Sequence, residues 1–175
     1  MKSIQRKQGG FSLVEILLVL GIIALLAIAA FIIFPQVQAA NRANTEQANI
    51  TTMAAGIKNL YGATRNYNGI TARTLIQARI APSSMYGNDT TATALTSAWS
   101  GAVTVAAAGT GDSQFVISYA GVPSEVCTRL VPGLLANFQT VTVGTTVVSA
   151  QNPTSVVGAC APASANIVPV AFTSN

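Results

Sequence analysis

Residues 7–35 read Lys-Gln-Gly-Gly-Phe-Ser-Leu-Val-Glu-Ile-Leu-Leu-Val-Leu-Gly-Ile-Ile-Ala-Leu-Leu-Ala-Ile-Ala-Ala-Phe-Ile-Ile-Phe-Pro, and no other stretch limits the fold so tightly. From Phe11 to Phe34 the run is almost wholly apolar. As a helix it spans ~36 Å at a rise of ~1.5 Å per residue, enough to cross a bilayer core about 30 Å thick. Glu15 lies four positions into it. A lone carboxylate in hydrocarbon is costly, so its presence points to a function and to a positively charged partner. Ahead of the run stand Lys2, Arg6 and Lys7, then Gly9-Gly10. Positive charge on that side predicts an N-terminus held inside and the remainder exported.

A short basic leader, a small residue, Phe, and Glu at the fifth place after the small residue together resemble the prepilin processing motif of type IV pilins and related pseudopilins. The resemblance implies that Gly10 is the last leader residue and that Phe11 is the first mature residue and the N-methylated one. It also implies that Glu15 is the assembly carboxylate. In that family a membrane peptidase cuts the leader on the cytoplasmic side and methylates the new N-terminus. A secretory signal is cut after its apolar run and loses it. Here the candidate site precedes the run, so the mature chain keeps it.

Charge follows from this division. Three of the nine basic residues lie in the leader, leaving six against five acids in the mature chain. The basic balance therefore reports a leader and gives no ground for a nucleic-acid partner. Arg65, Arg73 and Arg79 read as a solvated face, so direct nucleic-acid binding is not expected. There is no histidine, and beyond the long helix the acids are only Asp89, Asp112 and Glu125. That removes His-based catalysis and His-ligated metal, and leaves little for paired carboxylates. No enzyme, cofactor or metal site is expected. Cys127 and Cys160, the only cysteines, fall on the exported side, where disulfides persist. Their spacing matches neither a redox pair nor a zinc cluster, and a structural disulfide is the plain reading.

Past Pro35 the pattern turns amphipathic without a stop. Ile50, Met53, Ile57 and Leu60 recur at helical spacing, with Ala54 and Tyr61 near the same stripe. Arg42, Asn44, Glu46, Gln47, Asn49 and Lys58 read as the opposite, polar face. One helix is expected from about Ser12 to Tyr61, with a kink or weakened turn at Pro35. Asn66 to Gly69 reads as a turn, and Thr71 to Ile80 as a short helix capped by Thr71. Tyr86 to Ser97 is expected to be irregular.

From Gly101 the period changes to two. Val103 and Val105, a turn at Gly109–Asp112, then Phe115, Ile117 and Tyr119 predict a hairpin. Ser124 opens a helix that Pro132-Gly133 should interrupt, with Leu134, Leu135 and Phe138 resuming it. Val141, Val143, Val147 and Val148 predict strands about Gly144. In the last run, Ile167 to Phe172, Pro169 favours an edge strand or a bulge.

The order Leu75-Ile-Gln-Ala-Arg-Ile-Ala-Pro-Ser-Ser-Met85, Ala98-Trp-Ser-Gly-Ala-Val-Thr-Val105, Phe115-Val-Ile-Ser-Tyr-Ala-Gly-Val-Pro123 and Cys127-Thr-Arg-Leu130 is similar to that of type IVb pilins, particularly those of thin conjugative pili. The ten-residue leader and initial Phe look more like type IVa. The resemblance implies an α+β fold, the type IV pilin fold, with a long N-terminal helix packed on an antiparallel sheet and a C-terminal disulfide. Its divisions would be a leader at 1–10, a transmembrane or filament-core helix half at 11–35, an amphipathic half at 36–62 and a globular head at 63–175.

The implied function is that of a major pilus subunit. Such a subunit is made as an inner-membrane prepilin with a periplasmic head, then cleaved, methylated and polymerised into an extracellular homopolymer. The filament would serve adhesion, aggregation or conjugative DNA transfer. The implied partners are further copies of the chain, a prepilin peptidase and methylase, and the inner-membrane assembly machinery. The rivals are a pseudopilin of a type II secretion system and a minor pilin. Too few acids are present for the calcium cage common in the first, and the Glu often missing in the second is present here.

Overall fold

A computed structural model describes residues 12–149, 152–161 and 166–175. Gly10 and Phe11 lie outside these residues. The chain forms two compact units, 1–38 and 39–175. Helix α1, Leu13–Tyr61, runs for 49 residues and contributes to both. The backbone stays helical through Pro35, which leaves the Phe31 carbonyl without its usual donor. In the second unit its buried positions are Ala39, Ala43, Glu46, Asn49, Ile50, Met53, Ala54 and Ile57. Steps of three and four between them put most on one stripe. Leu60, expected on that stripe, is instead 49% exposed.

After α1 come α2, Ala72–Gln77, and the two-residue strand β1, Leu95–Thr96. Thr71 caps α2 by accepting the Thr74 N–H on its hydroxyl at 3.2 Å, which satisfies one of the orphan donors of the first turn. A hairpin follows, with β2 at Ala102–Ala108 and β3 at Gln114–Pro123. Then come α3, Ser124–Leu134, the pair β4, Thr140–Val143, and β5, Thr146–Val148, helix α4, Pro153–Ala159, and β6, Ile167–Ser174. The sheet is six-stranded and antiparallel, in the order β1-β2-β3-β6-β4-β5. Strict alternation puts Val103, Val105, Phe115, Ile117, Tyr119, Val141, Val143, Val168, Val170 and Phe172 on its buried face, as period-two strands require. These residues join Ile50, Met53 and Ile57 of α1 and Val126, Leu130, Val131 and Leu134 of α3 in one core.

Two expectations at prolines need correction, the first in part. Of the edge strand or bulge expected at Pro169, the structure has a bulge beside it but no edge: β6 is central and pairs with β3 on one side and β4 on the other. A central proline must do without a ladder donor. Here its nitrogen faces β4, on the same side as its own carbonyl, just past the last β4 residue, Val143, while β3 carries a bulge between Tyr119 and Val122 across from it. Gly121, at φ 66°, takes the left-handed conformation within the bulge, one that favours glycine. On that β4 side the Pro169 carbonyl accepts the Gly144 N–H at 2.8 Å, so only the return bond is lost, at the end of the ladder.

The second correction is that α3 passes through Pro132 and Gly133 to Leu134. Pro132 withholds a donor from the carbonyl of Thr128, four residues back, and Thr128 is exposed, where water can serve it. Gly133 leaves room for the Gln47 side chain of α1, since a Cβ there would collide with its amide. Gln47 Nε2 donates to the Arg129 and Leu130 carbonyls at 3.0 and 3.3 Å.

Candidate functional site

The N-terminal part of α1 carries an apolar surface with no cover. From Leu13, 73% exposed, to Phe31, 82% exposed, every large side chain whose burial is described stands open. The segment is long and apolar enough to cross a membrane. Glu15 sits in its first turn, exposed, with its backbone N–H donating to the Ser12 carbonyl at 3.0 Å. Between Ser12 and Asn41 it is the sole charged residue. A carboxylate there also suits the positive end of the helix dipole, an effect of about 0.3–1 kcal/mol.

In the second unit Cys127 of α3 and Cys160, next after α4, are joined, with Cα atoms 5.7 Å apart and both side chains fully buried. The bond ties the two short helices that flank the β4–β5 pair. Arg65, Arg73 and Arg79 are exposed on three successive segments. Helix α4 was not foreseen. Its seven residues are too few to establish a helical period.

Sequence reasoning also missed Glu46. Its residue type, like that of Asn49, places it on the polar face of α1, yet it is 1% exposed and Asn49 is 8% exposed. One carboxyl oxygen accepts the Ala98 N–H at 2.7 Å and the other accepts the Tyr119 hydroxyl at 3.0 Å. The signal was present: running the Ile50–Met53–Ile57 stripe backwards by four and then three lands on Glu46 and Ala43. A buried carboxyl group is tolerated only when hydrogen-bonded, and these two bonds fasten α1 to β3 and to the β1–β2 turn. Trp99, in that turn, packs on Tyr119 with ring centroids 5.8 Å apart.

Burial first, then the charge of Glu46 and the bond to it, raise the Tyr119 phenol well above its ordinary value, which is about 10. A raised phenol means that the fold favours the neutral form. Its contribution is therefore complete below the unfolded value and is lost as pH rises through the folded one. Alkaline unfolding above about pH 10 should accordingly be steeper in the wild type than in Tyr119→Phe. Glu46→Ala should cost about 1–3 kcal/mol through the orphaned Tyr119 hydroxyl. Glu46→Gln, which can serve both partners, should cost far less. Urea midpoints for the three variants check this, and equal midpoints for Ala and Gln at position 46 would contradict it.

Comparison with known proteins follows the same division of the chain. Residues 5–31, which include Gly10, Phe11 and Glu15, match the family described as the prokaryotic N-terminal methylation motif. Residues 40–175 match the family described as PilS N terminal. No curated protein matches by sequence. Among solved structures, a type IV b pilin from Salmonella typhi is similar at a TM-score of 0.55 and 19% identity, covering 75% of this chain and 99% of that one. TcpA, a type IV pilin from Vibrio cholerae El Tor biotype, is similar at 0.54 and 17% identity, covering 79% and 99%. At such identities the two structures speak for the fold, while the PilS match, over well more than half of the sequence, speaks for descent. The chain is a pilin, a member of the PilS family with the type IV pilin fold.

Proposed function

We propose that this pilin is the major subunit of a type IVb pilus. It is made as an inner-membrane prepilin with its N-terminus in the cytoplasm and its head in the periplasm. A prepilin peptidase cuts it between Gly10 and Phe11 and methylates Phe11, and the assembly machinery then adds it to an extracellular filament. The carrying observation is the uncovered apolar surface of α1 with Glu15 as its one charge. In the precursor, lipid covers that surface. In the filament, the equivalent helices of other copies cover it, and apolar packing among Ile16, Leu17, Val19, Leu20 and their counterparts drives association. The head also supports close neighbours, since from Leu130 to Asn175 it carries no charged side chain.

Glu15 sets register. Cleavage frees an amine at Phe11, and methylation keeps its positive charge. A neighbour shifted along the axis brings that amine against the carboxylate. Pairing offsets the desolvation of both charges without adding much net stability, so the gain is in geometry, because docking succeeds only where the charges meet. Once extracellular, the homopolymer serves adhesion, aggregation or conjugative transfer. Replacing Gly10 by a bulky residue tests the processing step: uncut protein is expected to accumulate in the inner membrane. Normal cleavage of that variant would contradict the assignment of Gly10.

A further inference from the structure

Asn68 is the only asparagine of the chain followed by glycine. The pair occupies the turn between α1 and α2, with both residues exposed and Gly69 at φ 76°. The turn is pinned to the hairpin turn between β2 and β3. The Tyr67 N–H donates to the Asp112 carbonyl at 2.8 Å, and Asn66 Nδ2 to the Gly111 carbonyl at 3.4 Å. Tyr67 itself is 3% exposed and packs on Phe115 with ring centroids 5.0 Å apart. One side chain–side chain bond completes the pin: Asn68 Nδ2 donates to Asp112 Oδ2 at 2.8 Å. That bond works only while residue 68 carries an amide.

The geometry also leaves the amide open to attack from its own backbone. Among the described residues the Gly69 N–H makes no hydrogen bond. Nothing lies within 4 Å of the place where a Gly69 Cβ would stand. We infer that Asn68 is a self-modification site, where the chain converts the amide to a carboxylate and so releases the 66–69 turn from Asp112. The Gly69 nitrogen gives up its proton to solvent and attacks Asn68 Cγ. The new C–N bond closes a five-membered succinimide, the Cγ–Nδ2 bond breaks, and Nδ2 leaves as ammonia with a proton from solvent. Water then opens the ring at either carbonyl, giving aspartate or isoaspartate at position 68. The net reaction consumes one water and releases one ammonia, and needs no oxidant, reductant or enzyme. The product is a one-way switch, because a charge-assisted donor–acceptor contact becomes two carboxylates at hydrogen-bond distance, and like charges so close repel.

The test uses full-length protein in detergent, held at mildly alkaline pH and digested at intervals for mass spectrometry. Amide-to-acid conversion is expected at Asn68 ahead of every other asparagine. Asn88 is the internal control, exposed in a turn at φ 64° but followed by aspartate. Conversion at Asn68 no faster than at Asn88 would overturn the site. The release is read by hydrogen exchange at the Tyr67 amide, whose protection should fall roughly tenfold or more in Asn68→Asp, the factor expected for losing a hydrogen bond to a charged group. Combining N68D with D112N exchanges donor and acceptor, so it should restore protection. Unchanged exchange in N68D, or no recovery in the double variant, would overturn the switch.

Discussion

Glu15→Gln, as the only pilin in the cell, is expected to yield no filaments while cleaved subunit accumulates in the membrane. Gln keeps the size and hydrogen bonding of Glu and removes only the charge, so insertion and processing should survive. The incoming Phe11 amine then meets no counter-charge inside an apolar helix bundle. Breaking one side of a buried pair costs about 3–5 kcal/mol, at least about a hundredfold in an association constant. The alternative role for Glu15, at the helix dipole, is worth only about 0.3–1 kcal/mol and could not abolish assembly. Filament yield measured beside the membrane pool of cleaved pilin separates the two. The head should remain folded, since none of its core residues comes from the segment around Glu15. Normal filament yield would leave register to packing alone and end the charge-pairing mechanism.

Cys127→Ser is expected to be the most destabilising single change in the head. The bond closes a loop of 33 residues in sequence separation, and losing a native disulfide of this kind typically costs about 2–5 kcal/mol. The loop holds β4, β5 and α4, and β4 is the strand that covers one side of β6. Loosening it therefore exposes the centre of the sheet, and pilin levels should fall in the periplasm. Urea unfolding of the full chain in detergent measures the effect, with Cys160→Ser expected to match. A midpoint equal to that of the wild type would show that packing of α3 and α4 suffices.

How far the fold could be read depended on whether the controlling contact was local. Helix α1, the Thr71 cap and the β2–β3 hairpin were legible because each rests on spacing or turn chemistry within a few residues. The place of β6 was not. Pro169 is intelligible only beside the end of β4, where Gly144 bonds its carbonyl on the side of the missing N–H. Pro132 was misread for a similar reason, since Gln47 of α1 serves the carbonyls of that turn. Glu46 is hidden by residue type: its position lies on the core stripe, but a carboxyl group reads as surface unless its partners, Tyr119 and Ala98, are known. The processing motif stands at the other extreme. The roles proposed for Gly10, Phe11 and Glu15 rest on linear spacing alone, which no contact with the head affects.

N-terminal mass spectrometry of filaments sheared from cells bears most directly on the claim that this pilin is processed and polymerised through α1. A mature chain beginning at N-methylated Phe11 is the expected result. Filaments whose subunits retain the leader, or begin after the apolar run, would contradict it.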